Sequence, residues 1–288
     1  MSNDILQQME DHLPEMTVAQ RKVAEFISQD AMEAAFSTIE KIASSAGVST
    51  TSVIRLANTL GYGSFSEFQK DLKDYLRIHS SPINKLSLNC VDAIPDALQT
   101  DVISCVYRNE LENIASAMQM LNRNTLEEIA QKLEQAKNIY ICGARTSESV
   151  ARYLTYNLNR MFLNVTYVSD SLSGELTALK KIDPADVLIA VTVSRYNKGI
   201  CKIASLCKRW NIPVVAITDS FDSPLIPCSD FQLVGKCRSN AFHNSIISQI
   251  FLCDLLIKIC RQTNPARVRE NLKRDEMIVE EMDYFIRK

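Results

Sequence analysis

Glycine and proline are scarce in this chain, seven and eight among 288 residues. So few breakers leave little room for long irregular segments, so mostly helix and strand with short connections is expected. Cysteine is more frequent, at nine, but no Cys-x-x-Cys pair occurs. Disulfide frameworks and zinc sites need clustered, regularly spaced cysteines, and His12, His79 and His243 stand in no ligand register with them. No metal and no cofactor is therefore expected, and Cys142, Cys207 and Cys253 read as small buried hydrophobes in a reducing cytosol. A basic segment followed by an apolar run, the mark of a signal peptide, is missing from the N-terminus. Residues 246–260 form the most apolar late stretch, but Gln249, Asp254 and Lys258 interrupt it. That pattern reads as a buried helix rather than a membrane span, and a cytoplasmic protein with no membrane partner is expected.

What remains is an ordinary globular composition, 46% hydrophobic and 23% charged, long enough for two domains with their own cores. Residues 1–78 read as helices only. Thr17-x-x-Gln20 is a capping box before Val23, Phe26 and Ile27, so a helix should begin near Val18. Ser37-x-x-Glu40 predicts a second, carrying Ile39, Ile42 and Ala43. Ala46-Gly47-Val48 breaks it, and Ser49 caps a third bearing Val53, Leu56, Ala57 and Leu60. Gly61-Tyr62-Gly63 stops that one, and Ser66 opens a fourth. Residues 79–124 read as linker and connecting helices, with the polar, proline-punctuated stretch 80–95 as the linker proper. Thr125-x-x-Glu128 then predicts another helix cap.

From residue 125 to 288 the pattern alternates. Short apolar runs at 139–142, 165–168, 187–193, 213–217 and 231–234 are separated by helical periodicity, and a long helix is predicted near 243–260. Runs that are apolar on both faces belong to parallel strands covered on both sides. The fold class expected is α + α/β: a helical N-terminal domain, then a three-layer α/β/α sandwich with a five-stranded parallel sheet.

Two short helices joined by Ala-Gly-Val-Ser are what a helix-turn-helix requires, the glycine supplying the tight turn. Ser49, Thr50, Thr51, Ser52 and Arg55 would then meet the major groove of double-stranded DNA. Hydroxyls and helix N-terminal amides suit phosphates, and Arg55 is able to read a guanine edge. Charge works mildly against this: residues 1–78 hold seven basic and eleven acidic side chains, whereas residues 41–77 hold five and three. A single such module should bind weakly, so a dimer presenting two is expected.

In an open parallel sheet, ligands sit beyond the carboxyl ends of the strands. Two such ends stand out. Gly143-Ala-Arg-Thr-Ser147 follows the first strand, and Ser194-Arg-Tyr-Asn-Lys198 follows the third, each at a helix start. Hydroxyls, free amides and cationic side chains there suit a phosphate or carboxylate. The alternative is that Ser147 and Ser194 are no more than helix caps. The candidate ligand residues are Arg145, Ser147, Ser194, Arg195, Tyr196, Asn197, Lys198 and His243, the last opening the final domain helix.

The segment Ile39-Glu-Lys-Ile-Ala-Ser-Ser-Ala-Gly-Val-Ser-Thr-Thr-Ser-Val-Ile-Arg-Leu-Ala-Asn-Thr-Leu-Gly61 resembles the helix-turn-helix of RpiR-type regulators. The α/β half, with Ala216-Ile-Thr-Asp-Ser220 and then Ser223-Pro224-Leu225, resembles their sugar isomerase (SIS) domain. The resemblance implies a homodimer or dimer of dimers that regulates transcription, binds a palindromic operator and senses a small anionic metabolite, commonly a sugar phosphate. By that likeness Ser147 and Ser194 match the serines of the family's two phosphate loops. The sequence departs from the pattern where it matters: Arg145 stands where a second glycine is common, and Arg195 and Tyr196 fill the glycine position and the next one. Guanidinium groups would there replace open backbone. Two other readings remain, a phosphosugar isomerase and an SIS protein that does not bind DNA. The first needs a general base, for which only Glu148, Glu175 and His243 lie near the loops. None sits in a catalytic pattern, so no enzymatic activity is expected.

Overall fold

A computed structural model describes residues 5–29, 31–79, 102–169, 171–239 and 241–285. The chain divides into two units, Met1–Ala93 and Ile94–Lys288. The expected linker at 80–95 lies outside the described residues.

The first unit is helical: α1 (Ile5–His12), α2 (Val18–Gln29), α3 (Ala31–Phe36), α4 (Ile39–Ala46), α5 (Thr50–Thr59) and α6 (Phe65–His79). Their apolar stripes meet in one core around Ile27, Ile42, Leu56, Phe68 and Leu72. The first capping box forms as expected. The Thr17 amide donates to Gln20 Oε1 at 2.8 Å, and Gln20 Nε2 goes on to the Thr59 hydroxyl at 2.8 Å, tying α2 to the end of α5. Three other caps fall elsewhere than expected. Thr38, not Ser37, caps α4, its hydroxyl accepting from the Lys41 amide at 3.3 Å, while the Ser37 hydroxyl is buried without a partner. The α6 cap is Ser64 rather than Ser66, with the Glu67 carboxylate returning to the Gly63 amide at 2.9 Å. The next unit's second helix is capped by Asn122, three residues before Thr125.

The second unit runs α7 (Val102–Met120), α8 (Arg123–Gln135), β1 (Ile139–Gly143), α9 (Thr146–Phe162), β2 (Val165–Val168), α10 (Leu172–Leu179), β3 (Val187–Val191), α11 (Lys198–Arg209), β4 (Val214–Thr218), β5 (Phe231–Val234), α12 (Ile247–Thr263) and α13 (Pro265–Glu281). The five strands are all parallel, in the order β2-β1-β3-β4-β5. Side chains alternate across the sheet. Ile139, Ile141, Ile189 and Val191 join a core with α8, α9, α12 and α13, whereas Tyr140, Cys142, Leu188 and Ala190 pack on Ile200, Ile203 and Cys207 of α11. This is the expected three-layer sandwich. The last long helix begins at Ile247 rather than near residue 243, so His243 stands in the loop before it. α7 packs on α12, with Asn113 and Ala117 its buried residues, and so belongs to the sheet's unit. Burial also pushes the Cys207 thiol up to about 12, in keeping with an inert core residue. No helix among the described residues is long and apolar enough to cross a membrane.

Candidate functional site

The strand order fixes where a ligand crevice opens. From β1 the chain crosses to β2 on one side, and from β3 it proceeds to β4 and β5 on the other, so the sheet's switch point lies between β1 and β3. In register, Cys142 pairs with Ala190 and Gly143 with Val191. The two loops picked out from sequence therefore leave adjacent strand ends, on either side of that point.

The first loop is built on Gly143. A Cβ there would lie 2.6 Å from the Ser147 carbonyl oxygen, so only glycine lets the start of α9 come this close to β1. Ser147, in the first turn of α9, is 4% exposed and makes no hydrogen bond through its hydroxyl to another described residue. Arg145 precedes α9 at φ 55° and ψ −127°, with its side chain exposed. Beside it Glu148 is held by Arg152 at 2.7 Å, and Arg152 also lies 4.2 Å over the Tyr167 ring.

The second loop rests on a carboxylate that sequence reasoning had not singled out as a site residue. Asp219, at the end of β4, is 9% exposed. Its Oδ2 accepts the Ser194 amide at 3.1 Å and the Cys237 thiol at 3.3 Å, and Oδ1 accepts the Thr218 hydroxyl at 3.3 Å. The Tyr196 hydroxyl also donates to Asp219. Tyr196 therefore turns inward instead of offering its hydroxyl to a ligand, and burial raises its pKa far above that of a free tyrosine. Burial likewise raises the Asp219 carboxyl, against the pull of the Cys237 thiol, the Ser194 and Asp219 amides and the Tyr196 hydroxyl. Asn197 is occupied as well: its Oδ1 caps α11 through the Ile200 amide at 3.0 Å, and its own amide donates to Thr192 Oγ1 at 3.0 Å. Arg195 and Lys198 are exposed, and neither has a carboxylate partner among the described residues. Arg195 has φ 64°.

A third segment closes the crevice. His243 is exposed and stacks edge-on against Phe242, whereas its neighbour Asn244 donates from Nδ2 to the Ser194 carbonyl at 3.1 Å. This loop is anchored to α7: Asn113 exchanges hydrogen bonds with the backbone of Arg238, and the Ser245 hydroxyl donates to Glu110 at 2.6 Å. Of the three candidate bases, Glu148 is engaged with Arg152. Glu175 sits at the start of α10, its Oε1 3.3 Å from where a side chain on Gly199 of α11 would begin, and His243 faces solvent.

In the helical unit, α4 ends at Gly47 in the left-handed conformation, φ 64° and ψ 42°, and the Val48 amide returns to the Ala43 carbonyl at 2.9 Å. This turn delivers α5 with Val53, Leu56 and Ala57 buried. Ser49, Thr50, Thr51 and Arg55 are consequently exposed on its opposite face, and Ser52 is half-buried. The Ser49 hydroxyl, expected to cap α5, instead pairs with the Ser52 hydroxyl at 3.1 Å.

The comparisons agree with this two-part construction. A helix-turn-helix domain model of the rpiR family matches residues 3–78, and an SIS domain model matches residues 132–259. An uncharacterised HTH-type transcriptional regulator of Thermotoga maritima is 24% identical to this chain, covering 98% of it and 100% of its own length. The Vibrio vulnificus NanR protein, solved in complex with ManNAc-6P, superposes with a TM-score of 0.62 at 22% identity, covering 97% of this chain and 99% of its own. The sugar isomerase domain of an RpiR transcription factor from Sphaerobacter thermophilus gives a TM-score of 0.59 at 23% identity, covering 61% of this chain and 98% of its own. At these identities the structural likeness speaks for the fold. With both halves matched in this order, the chain belongs to the RpiR type of helix-turn-helix transcriptional regulators, an rpiR-family DNA-binding domain followed by an SIS domain.

Proposed function

We propose that the protein binds operator DNA through the exposed face of α5 and senses a small anionic metabolite, a sugar phosphate or related sugar acid, at the β1–β3 switch point. The observation that carries this reading is the placement of the two serine-bearing loops: both leave adjacent strand ends and both run into helix starts. The sugar phosphate in the NanR complex supports the choice of ligand class. For DNA, the exposed hydroxyls of Ser49, Thr50 and Thr51 suit phosphate contacts, and the exposed Arg55 suits a base edge. The acidic balance of residues 1–78 means that one module binds weakly, so the acting species is a homodimer.

A gel shift with duplex DNA from upstream of its own gene tests the reading. Binding at micromolar protein should weaken steeply with salt, and Arg55→Ala should abolish it with circular dichroism unchanged. Absence of any salt-dependent shift at that concentration would sink the regulator reading.

A further inference from the structure

Five non-glycine residues among those described have positive φ. Leu163, Asn211 and Asp283 follow the C-termini of α9, α11 and α13, where a left-handed residue is an ordinary helix stop. The other two are Arg145 and Arg195. Each lies between the carboxyl end of a strand and the start of a helix, and the two strands, β1 and β3, are paired neighbours. Glycine takes such backbone without strain and arginine does not, so the turn geometry alone gives no reason for arginine at either place.

The surroundings of the two arginines differ. In the second loop the amides of Ser194, Asn197 and Ile200 are spent on Asp219, Thr192 and Asn197 respectively. The Asp219 carboxylate beneath the loop further opposes an anion laid against that backbone. What the loop presents at its surface is two cationic side chains, Arg195 and Lys198, and of these the planar guanidinium fork of Arg195 matches a carboxylate. The first loop keeps the start of the 17-residue α9 and Ser147, a residue 4% exposed whose hydroxyl makes no hydrogen bond to another described residue, and the two together suit a phosphate. Arg145, Arg195 and Lys198 all lack carboxylate partners among the described residues. Three unpaired cations exceed the charge of one phosphate, which carries at most about two negative charges at pH 7.

Building on the anion-sensing reading above, we propose that the effector carries two separate anionic groups, a phosphate at the α9 start with Arg145 and a carboxylate on Arg195. Its class is a phosphorylated sugar acid. The arginines occupy glycine-type backbone because their guanidinium groups bind it.

Thermal shift and calorimetric titration of the full chain test this with three probes: 6-phosphogluconate, glucose 6-phosphate and gluconate. Wild-type protein should bind 6-phosphogluconate on the order of tenfold or more tightly than either singly charged-group probe. Arg195→Gly should erase that preference while leaving glucose 6-phosphate affinity within about twofold, and Arg145→Gly should weaken both phosphorylated probes. Without any probe, Arg195→Gly should melt at or above the wild-type temperature. Equal wild-type affinity for 6-phosphogluconate and glucose 6-phosphate would overturn the two-anion proposal and leave anion sensing standing. A lower melting temperature for unliganded Arg195→Gly would overturn it too, by making the side chain structural. If none of the three probes binds, both the proposal and the anion-sensing reading fall.

Discussion

Single residues in this protein show how a correct element can rest on a misplaced cap. Ser37-x-x-Glu40 has the capping-box spacing, yet Thr38 holds the Lys41 amide and the Ser37 hydroxyl is buried unpaired. Of the two successive hydroxyl residues only Ser37 has a glutamate three positions on, yet the backbone direction entering α4 puts the cap at Thr38. The two have opposite energetic consequences. Thr38→Ala should cost about 1 kcal/mol by leaving an N-terminal amide of α4 unsatisfied. Ser37→Ala should leave stability unchanged or raise it by up to about 1 kcal/mol, because it removes a buried group that has no partner. Urea unfolding of the full chain followed by circular dichroism orders the two variants, and the reverse order would return the cap to Ser37. The strained arginines belong to the same scale. Positive φ costs of order 1–3 kcal/mol at a non-glycine residue, a penalty that persists where the surrounding structure holds it in place. Sequence showed that Arg145 and Arg195 stand where glycine is common; the backbone shows that the glycine conformation has been kept.

At the scale of elements, both serine loops, the parallel strands and the helix-turn-helix were legible because each is written in local patterning: period, glycine punctuation and helix starts. Asp219 was not, because its importance comes from four donors brought from residues 194, 196, 218 and 237. No local spacing encodes that convergence. The role of α7 was hidden for the same reason. Its periodicity gives a helix, but what ties it to the crevice is Asn113 meeting Arg238 and Glu110 meeting Ser245, 125 and 135 positions away. The Asp219 cluster makes a pH-dependent prediction. Burial raises its folded pKa, so its contribution to stability is fully present below the ordinary carboxylate value of about 3.9 and is lost as pH rises through the raised folded value. The Tyr196 hydroxyl opposes that rise by donating to the ionised form. Tyr196→Phe should therefore raise the folded pKa further and destabilise by about 1–3 kcal/mol near neutral pH. The loss should be smaller at pH 4.5 than near neutrality, because lowering the pH moves the folded carboxyl, with its raised pKa, toward the protonated form. Melting curves at the two pH values check this, and an equal loss at both would show that Tyr196 and Asp219 are not coupled.

For the whole molecule the open matter is what completes a weak, acidic DNA-binding module. α7 supplies a surface suited to self-association. Val102, Ile103, Val106, Tyr107, Leu111 and Met118 are each between 48% and 76% exposed on a single helix. Ile103, Tyr107, Leu111 and Met118 follow helical spacing along its length, flanking the side on which Asn113 and Ala117 are buried. Contiguous apolar patches beyond a few hundred Å² are uncommon on monomers and mark interfaces. A second copy of the chain is the partner that also answers the DNA problem, because two modules on one operator multiply their affinities through effective concentration. Replacing Ile103 and Tyr107 together by Glu alters exposed positions only, so the fold should persist. Light scattering should then report a monomer at micromolar concentration, against the dimer that the proposed function expects of the wild type. Affinity for a two-half-site operator should fall on the order of tenfold or more, while stabilisation by 6-phosphogluconate remains. A dimer that survives the double substitution would move the interface to another apolar surface, such as the exposed Met282, Tyr284 and Phe285 after α13. A wild-type chain that is monomeric yet binds DNA tightly would remove the need for either.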